Sequence, residues 1–122
     1  MNRKTNQRSA IQDAFRGSDR PLAPREVLAS VLEADQKIGI ATVYRNIKLL
    51  VEQEWLIPVE IPGEPSRYEM NGKRHHHHFV CRGCGRVYDV EGCPGQIDAF
   101  TPAGFEVEDH EIFLYGKCVD CR

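Results

Sequence analysis

The sequence predicts an α+β chain: an N-terminal winged helix-turn-helix domain followed by a small C-terminal α/β domain with a four-cysteine zinc site. Three observations predict it. Apolar residues recur at helical spacing in three stretches before residue 52, and two β-rich runs flank the turn Pro62-Gly63-Glu64-Pro65. Two Cys-x-x-Cys pairs, Cys81/Cys84 and Cys118/Cys121, lie in a second half that also carries His75-His76-His77-His78. The expected boundaries are 1–70 for the first domain, 71–74 for a hinge around Asn71-Gly72, and 75–122 for the metal-binding domain.

A first helix is expected over 6–15, capped by Thr5 and stopped at Gly17, with Ile11, Ala14 and Phe15 inward. Arg3, Lys4 and Arg8 stand at its start, where cations oppose the helix dipole; a phosphate backbone and plain solvation both account for them. Pro24 opens a second helix through Leu32, with Val27, Leu28 and Val31 inward. Ile38-Gly39-Ile40-Ala41 leads into a third helix that buries Val43, Ile47, Leu50 and Val51. Its other face carries Thr42, Tyr44, Arg45, Asn46 and Lys48, a set of phosphate donors with one aromatic ring. Strands over 55–61 and 66–70 form the wing. In a winged helix-turn-helix the last helix enters the major groove of duplex DNA. The same pattern fits a small helical domain that binds protein, and periodicity alone does not separate the two. Beyond the hinge, strands are expected near 77–82, 86–90, 104–109 and 112–116, with a short helix or turn between Gly95 and Phe100.

Each half of this 122-residue chain is near the size at which a core alone is marginal and a metal staple helps. A hydrophobic content of 41% is ordinary for a soluble protein, and no run is long enough to span a membrane. The net charge of -2 is unevenly spread. Residues 1–58 hold nine Lys/Arg against seven Asp/Glu, whereas residues 59–122 hold seven against eleven. Phosphate binding depends on local placement of cations, so the mildly basic first half is the one that suits nucleic acid. Met1-Asn2-Arg3-Lys4 is followed by polar residues with no apolar stretch for export, which favours thiols that bind metal over disulfides.

Two residues between paired cysteines let the chain turn back, so that both sulfurs face one ion; two such knuckles make a tetrahedral zinc site. The 33 residues between the knuckles exceed the usual ribbon spacing, so an extra strand or helix is expected there. The histidine run flows into Phe79-Val80, and in a strand successive side chains point to opposite faces. His76 and His78 then share one face and His75 and His77 the other, which suits two further metal sites. A polar, solvated strand end is the plain alternative.

At this point Thr5-x-x-Arg8, Gly39-Ile40-Ala41-Thr42-Val43-Tyr44-Arg45, His75 to Cys84 with Gly85 following, and His110 through Tyr115-Gly116-x-Cys118-x-x-Cys121 resemble the ferric uptake regulator family over nearly the whole chain. The resemblance implies a bacterial, cytoplasmic, homodimeric, metal-dependent transcription repressor with a C-terminal dimerisation domain. Tyr44 and Arg45 would contact a near-palindromic operator, beside Arg8, Thr42, Asn46 and Lys48. Cys81, Cys84, Cys118 and Cys121 would hold structural zinc. Glu69, His76, His78 and Asp89 match a regulatory site at the hinge, and His75, His77, His110 and Asp98 match a second site. Two departures stand out. The loop Arg20-Pro21-Leu22-Ala23-Pro24 lacks the histidine that many members contribute, and Cys93 is an extra cysteine. Cys93 is either a regulatory-site ligand near Asp89, a small buried hydrophobe or a redox handle. As a ligand it would favour zinc, and with it the zinc uptake regulator branch, over iron, manganese or peroxide sensing. From other classes, a zinc hydrolase lacks His-Glu-x-x-His here and has no assignable catalytic residue, and a zinc-stapled adaptor would bind protein only.

Overall fold

The computed structural model describes residues 3–122; Met1, Asn2 and the side chains of Arg3 and Lys4, expected as cations at the first helix, lie outside the described residues. Backbone contacts divide the chain into two compact units, Met1–Lys73 and Arg74–Arg122. No helix among the described residues is long and apolar enough to cross a membrane.

The first unit contains α1 (Arg3–Arg16), α2 (Pro24–Glu33), α3 (Ile40–Glu52), β1 (Leu56–Val59) and β2 (Arg67–Met70). Its core follows the helical period. Ile11 and Phe15 of α1, Val27 and Val31 of α2, and Val43, Ile47 and Leu50 of α3 are buried together with Leu22 and Leu56. Phe15 meets Trp55 edge to face with ring centroids 6.3 Å apart, and the Arg16 guanidinium lies over the ring of this single Trp, 5.4 Å from its centroid. Thr5 does not cap α1: it sits inside the helix, because the preceding Arg and Lys are good helix formers and nothing there breaks the turn. Pro24 opens α2, and the Ala23 amide, left over before it, donates to Glu26 Oε1 at 3.0 Å. β1 and β2 pair antiparallel with Leu56 opposite Met70. Leu22 adds a bridge to Tyr68 by two backbone hydrogen bonds of 2.8 and 2.9 Å, an extension of the wing that the sequence does not signal.

In the second unit β3 (His76–Cys81) lies between β4 (Val87–Glu91) and β5 (Phe113–Gly116), antiparallel to the first and parallel to the second. A 3₁₀ turn covers Ile97–Phe100, where a short helix or turn is expected. The strand predicted over 104–109 does not form. Phe105 and Val107 alternate with Glu106 and Glu108, yet this run pairs with neither outer edge of the sheet, and Pro102 and Gly104, at a φ of 83°, break the chain just before it. The unit's buried apolar side chains are few, namely Val80, Cys81 and Val87 among the described residues.

Leu50→Ala is expected to cost about 2–5 kcal/mol of unfolding free energy, read by denaturation followed through Trp55 fluorescence. An unchanged midpoint would show that the α3 seam does not hold this unit together.

Candidate metal centres and nucleic-acid face

The four paired cysteines meet at one end of the β3–β5 pair. Cys81 ends β3, and the turn after it closes by a Gly85 N–H to Cys81 carbonyl bond of 2.9 Å, with Gly85 at a φ of 77° that favours glycine. Parallel pairing sets Gly116 beside Cys81, which brings Cys118 to the same end; the Cys121 N–H then bonds the Cys118 carbonyl at 3.0 Å. All four sulfurs lie within 4.8 Å of one another, and those of Cys84 and Cys118 are 3.9 Å apart. Tetrahedral zinc with Zn–S bonds of about 2.3 Å separates its sulfurs by about 3.8 Å. The fit is therefore close, and all five cysteines of the chain are free of disulfides. Backbone N–H groups of Gly83, Cys84 and Cys118 donate to Cys81 Sγ at 3.3, 3.4 and 3.3 Å. Those of Cys84 and Cys118 do most to hold the Cys81 thiol down at about 6, so a thiolate is already favoured there. Tyr88, which the sequence does not single out, donates its hydroxyl to the Cys118 sulfur; that bond chiefly lowers the Cys118 thiol and pushes the Tyr88 phenol up to about 12. A Cβ on Gly83 would fall 2.8 Å from Cys121 Cβ and 2.9 Å from its Sγ, so only glycine fits between the knuckles.

The strand alternation of β3 sorts the histidines. His76 and His78 share a face with Asp89, which stands opposite His78 on β4. Asp89 Oδ1 lies 3.6 Å from His76 Nε2 and 3.5 Å from His78 Nε2. His76 Nδ1 sits 2.7 Å from the Arg74 carbonyl, so in the neutral ring Nδ1 carries the proton and donates it. Its Nε2 then faces the Asp89 carboxylate oxygen, a pairing that a proton or a metal cation can bridge. Glu69, on β2 of the first unit, is 3% exposed and accepts from Lys73 Nζ at 3.3 Å.

The other face gathers His75, His77 and His110, and with them Cys93; their donor atoms lie within 4.8 Å of one another. His110 Nε2 is 3.1 Å from His75 Nε2 and 3.2 Å from Cys93 Sγ. Two expectations are corrected here. Cys93 joins this group and not Asp89, because β4 ends at Glu91 and Gly92, at a φ of 86°, turns the chain out of the strand alternation that would have kept Cys93 on the Asp89 face. Asp98 does not join it, being exposed in the 3₁₀ turn. His77 is 3% exposed. Its burial, then the neighbouring His75 and His110 rings, hold its pKa below the usual value and keep the ring neutral, the form that binds metal. The Ile112 N–H donates to His77 Nδ1 at 3.2 Å, while His77 Nε2 is buried with no hydrogen-bond partner among the described residues.

On the first unit, the exposed face of α3 presents Tyr44, Arg45 and Lys48, with Tyr44 53% exposed. Arg45 Nη2 donates to Thr42 Oγ1 at 2.9 Å, and Asn46 Nδ2 to the Thr42 carbonyl at 2.9 Å. Arg8 of α1 joins Thr42, Arg45 and Asn46 around a groove of about 210 Å³ that Gln7 and Leu49 also line. Tyr44 and Lys48 stand outside that groove. Arg8 Nε is buried without a hydrogen-bond partner among the described residues. The loop without the expected histidine is occupied by an ion pair, Arg20 Nη1 to Glu26 Oε2 at 2.6 Å.

Comparison with known proteins agrees with this geometry. The model of the ferric uptake regulator family matches residues 2–115. The ferric uptake regulation protein of Campylobacter jejuni is 32% identical over 123 aligned positions, covering 97% of this chain and 78% of that protein. A solved zinc-bound manganese uptake regulator superposes with a TM-score of 0.79 at 28% identity, covering 93% of this chain and 88% of that one. FurB of M. tuberculosis, a zinc uptake regulator, does so with a TM-score of 0.56 at 29% identity, covering 98% and 95%.

Gly83→Ala is expected to weaken zinc retention by about 10- to 100-fold, measured by competition with a colorimetric chelator. Equal retention would show that the close approach of Gly83 to Cys121 is not needed to hold the knuckles.

Proposed function

The chain belongs to the ferric uptake regulator family, whose members are metal-responsive transcription regulators that bind DNA as dimers, and on that premise we propose that it is a bacterial, cytoplasmic, homodimeric repressor whose grip on its operator depends on a divalent ion held by His76, His78 and Asp89. It is a regulator and not an enzyme, so the zinc hydrolase alternative falls. The observation that carries the proposal is the convergence of the His76 and His78 Nε2 atoms on one oxygen of Asp89 across β3 and β4. Glu69 is proposed as a further ligand on the strength of the family resemblance alone. Arg45, Tyr44, Thr42, Asn46, Lys48 and Arg8 supply contacts to phosphates and base edges of a near-palindromic operator, whose half-sites lie about 34 Å apart. An orientation populated only in part without the ion lowers binding by that fraction, and a near-complete switch needs about 5.5 kcal/mol of differential affinity.

Zinc is proposed as the sensed ion, since two imidazoles and two carboxylates suit a tetrahedral set. One observation favours a second reading, iron or manganese: Cys93 lies on the opposite face, so this donor set is nitrogen and oxygen only. Cys81, Cys84, Cys118 and Cys121 are proposed to hold a separate structural zinc.

Operator retardation by zinc-loaded protein, and its loss with a chelator that leaves the four-cysteine site filled, tests the switch; equal affinity in both conditions would remove the sensor. Manganese and ferrous iron in the same assay rank the ions. His78→Ala should abolish the metal response. Arg45→Ala should cost about 1–3 kcal/mol of operator binding with metal content unchanged, whereas a protein-only adaptor would show no change.

A further inference from the structure

We propose that Arg86 and Tyr88 form a hydrogen-bond relay onto the four-cysteine cluster, and that this relay shields the cluster's solvent-facing sulfurs from oxidants of the peroxide class. It rests on the reading that Cys81, Cys84, Cys118 and Cys121 hold zinc. The regulatory site on the His76 face plays no part in it.

The direction of the relay follows from what each group can donate. A guanidinium has only N–H donors, so where Arg86 hydrogen-bonds the Tyr88 hydroxyl the phenol oxygen is the acceptor. The phenol's single proton is left for sulfur, and Cys118 receives it. The same hydroxyl lies 4.0 Å from Cys84 Sγ, so one side chain serves both knuckles. Local structure fixes both donors. Tyr88 stands opposite Phe79 across β3 and β4, and Arg86 precedes it by two residues, the spacing that puts two side chains on one face of a strand. The Arg86 carbonyl accepts from the Cys81 N–H at 2.9 Å, which ties this backbone to the first knuckle.

The relay acts where the cluster is open. Cys81 is buried and already accepts three backbone N–H bonds, whereas Cys84 is exposed and Cys118 half-buried. A divalent ion with four thiolates leaves a net anion, which the guanidinium charge also favours. All four sulfurs are thiolates when they bind zinc, so their intrinsic nucleophilicity decides how fast they react, and a donated proton lowers it. Oxidation begins when a thiolate attacks one peroxide oxygen: an S–O bond forms, the O–O bond breaks, hydroxide leaves and the sulfur becomes a sulfenic acid. A second thiolate then attacks that sulfur and expels hydroxide, giving a disulfide, and the ion loses half its ligands. Cys84 and Cys118, with sulfurs 3.9 Å apart, are placed for that pair of steps. The Tyr88 hydroxyl lies against both.

The test uses the full chain carrying Cys93→Ser as parent, so that every remaining cysteine belongs to the cluster, with zinc bound elsewhere removed by a chelator. Zinc release under excess hydrogen peroxide, followed with a colorimetric indicator, should be about tenfold faster in Tyr88→Phe, the lower end of what an outer-shell partner contributes. In the cobalt-substituted protein Tyr88→Phe should move the sulfur-to-cobalt charge-transfer band to lower energy, which loss of packing alone would not do. Arg86→Met, at an exposed position, should accelerate release by less. The double variant should release zinc no faster than Tyr88→Phe, because an arginine that acts through the phenol has then nothing to act on. Additive effects would overturn the relay, as would equal release rates with and without the hydroxyl in chains that hold the same zinc. A parent chain that keeps no zinc in the cluster would remove the four-cysteine reading itself, and the relay with it.

Discussion

The two-residue period of β3 is the constraint on which the rest of the second unit depends. A central strand with both edges paired cannot slip in register without moving every side chain to the wrong face. His76 and His78 are therefore committed to the face of Asp89, and His75 and His77 to the face reached by Cys93 and His110. The same strand delivers Cys81 to its far end, where parallel pairing with β5 brings up the second knuckle. Three groups of candidate metal donors thus draw on or adjoin a single strand, and the segments outside it supply the remaining members, Cys93 and His110 among them.

The two units reach order by different physics. The first has an ordinary core of nine apolar side chains from three helices, a strand and the bridge at Leu22. The second buries hardly any, and a sheet of three short strands with so thin an interior is marginal in water. Its organisation is polar: backbone amides converge on Cys81 Sγ, a phenol supports Cys118, and a main-chain carbonyl orients His76. Such groups are arranged for ligands and not for packing.

Much of this was legible in the residues. The helical seams of α1 to α3 and the sorting of four histidines into two pairs need only the periods 3.6 and 2, which residue types display directly. The knuckles announce themselves by spacing. What was hidden depends on torsions and on competition for partners. Cys93 would follow Asp89 by strict alternation; the left-handed turn at Gly92 reverses that, and a glycine permits such a torsion without announcing it. The run 104–109 has the pattern of a strand but joins neither outer edge of the sheet, an outcome that no local pattern records. Thr5 has the chemistry of a cap, yet residues before it extend the helix. The pairing of Leu22 with Tyr68 joins positions far apart in the chain, which no local pattern records.

The bond from His76 to residue 74 has an evolutionary side. Its acceptor is the Arg74 peptide oxygen, a group every amino acid carries, so replacement of that arginine's side chain leaves the imidazole's protonation pattern in place. Asp89 has no comparable shelter, because its oxygen is written in the codon. Replacement at position 74 thus leaves this bond's acceptor in place, whereas replacement at position 89 removes the oxygen that His76 and His78 share.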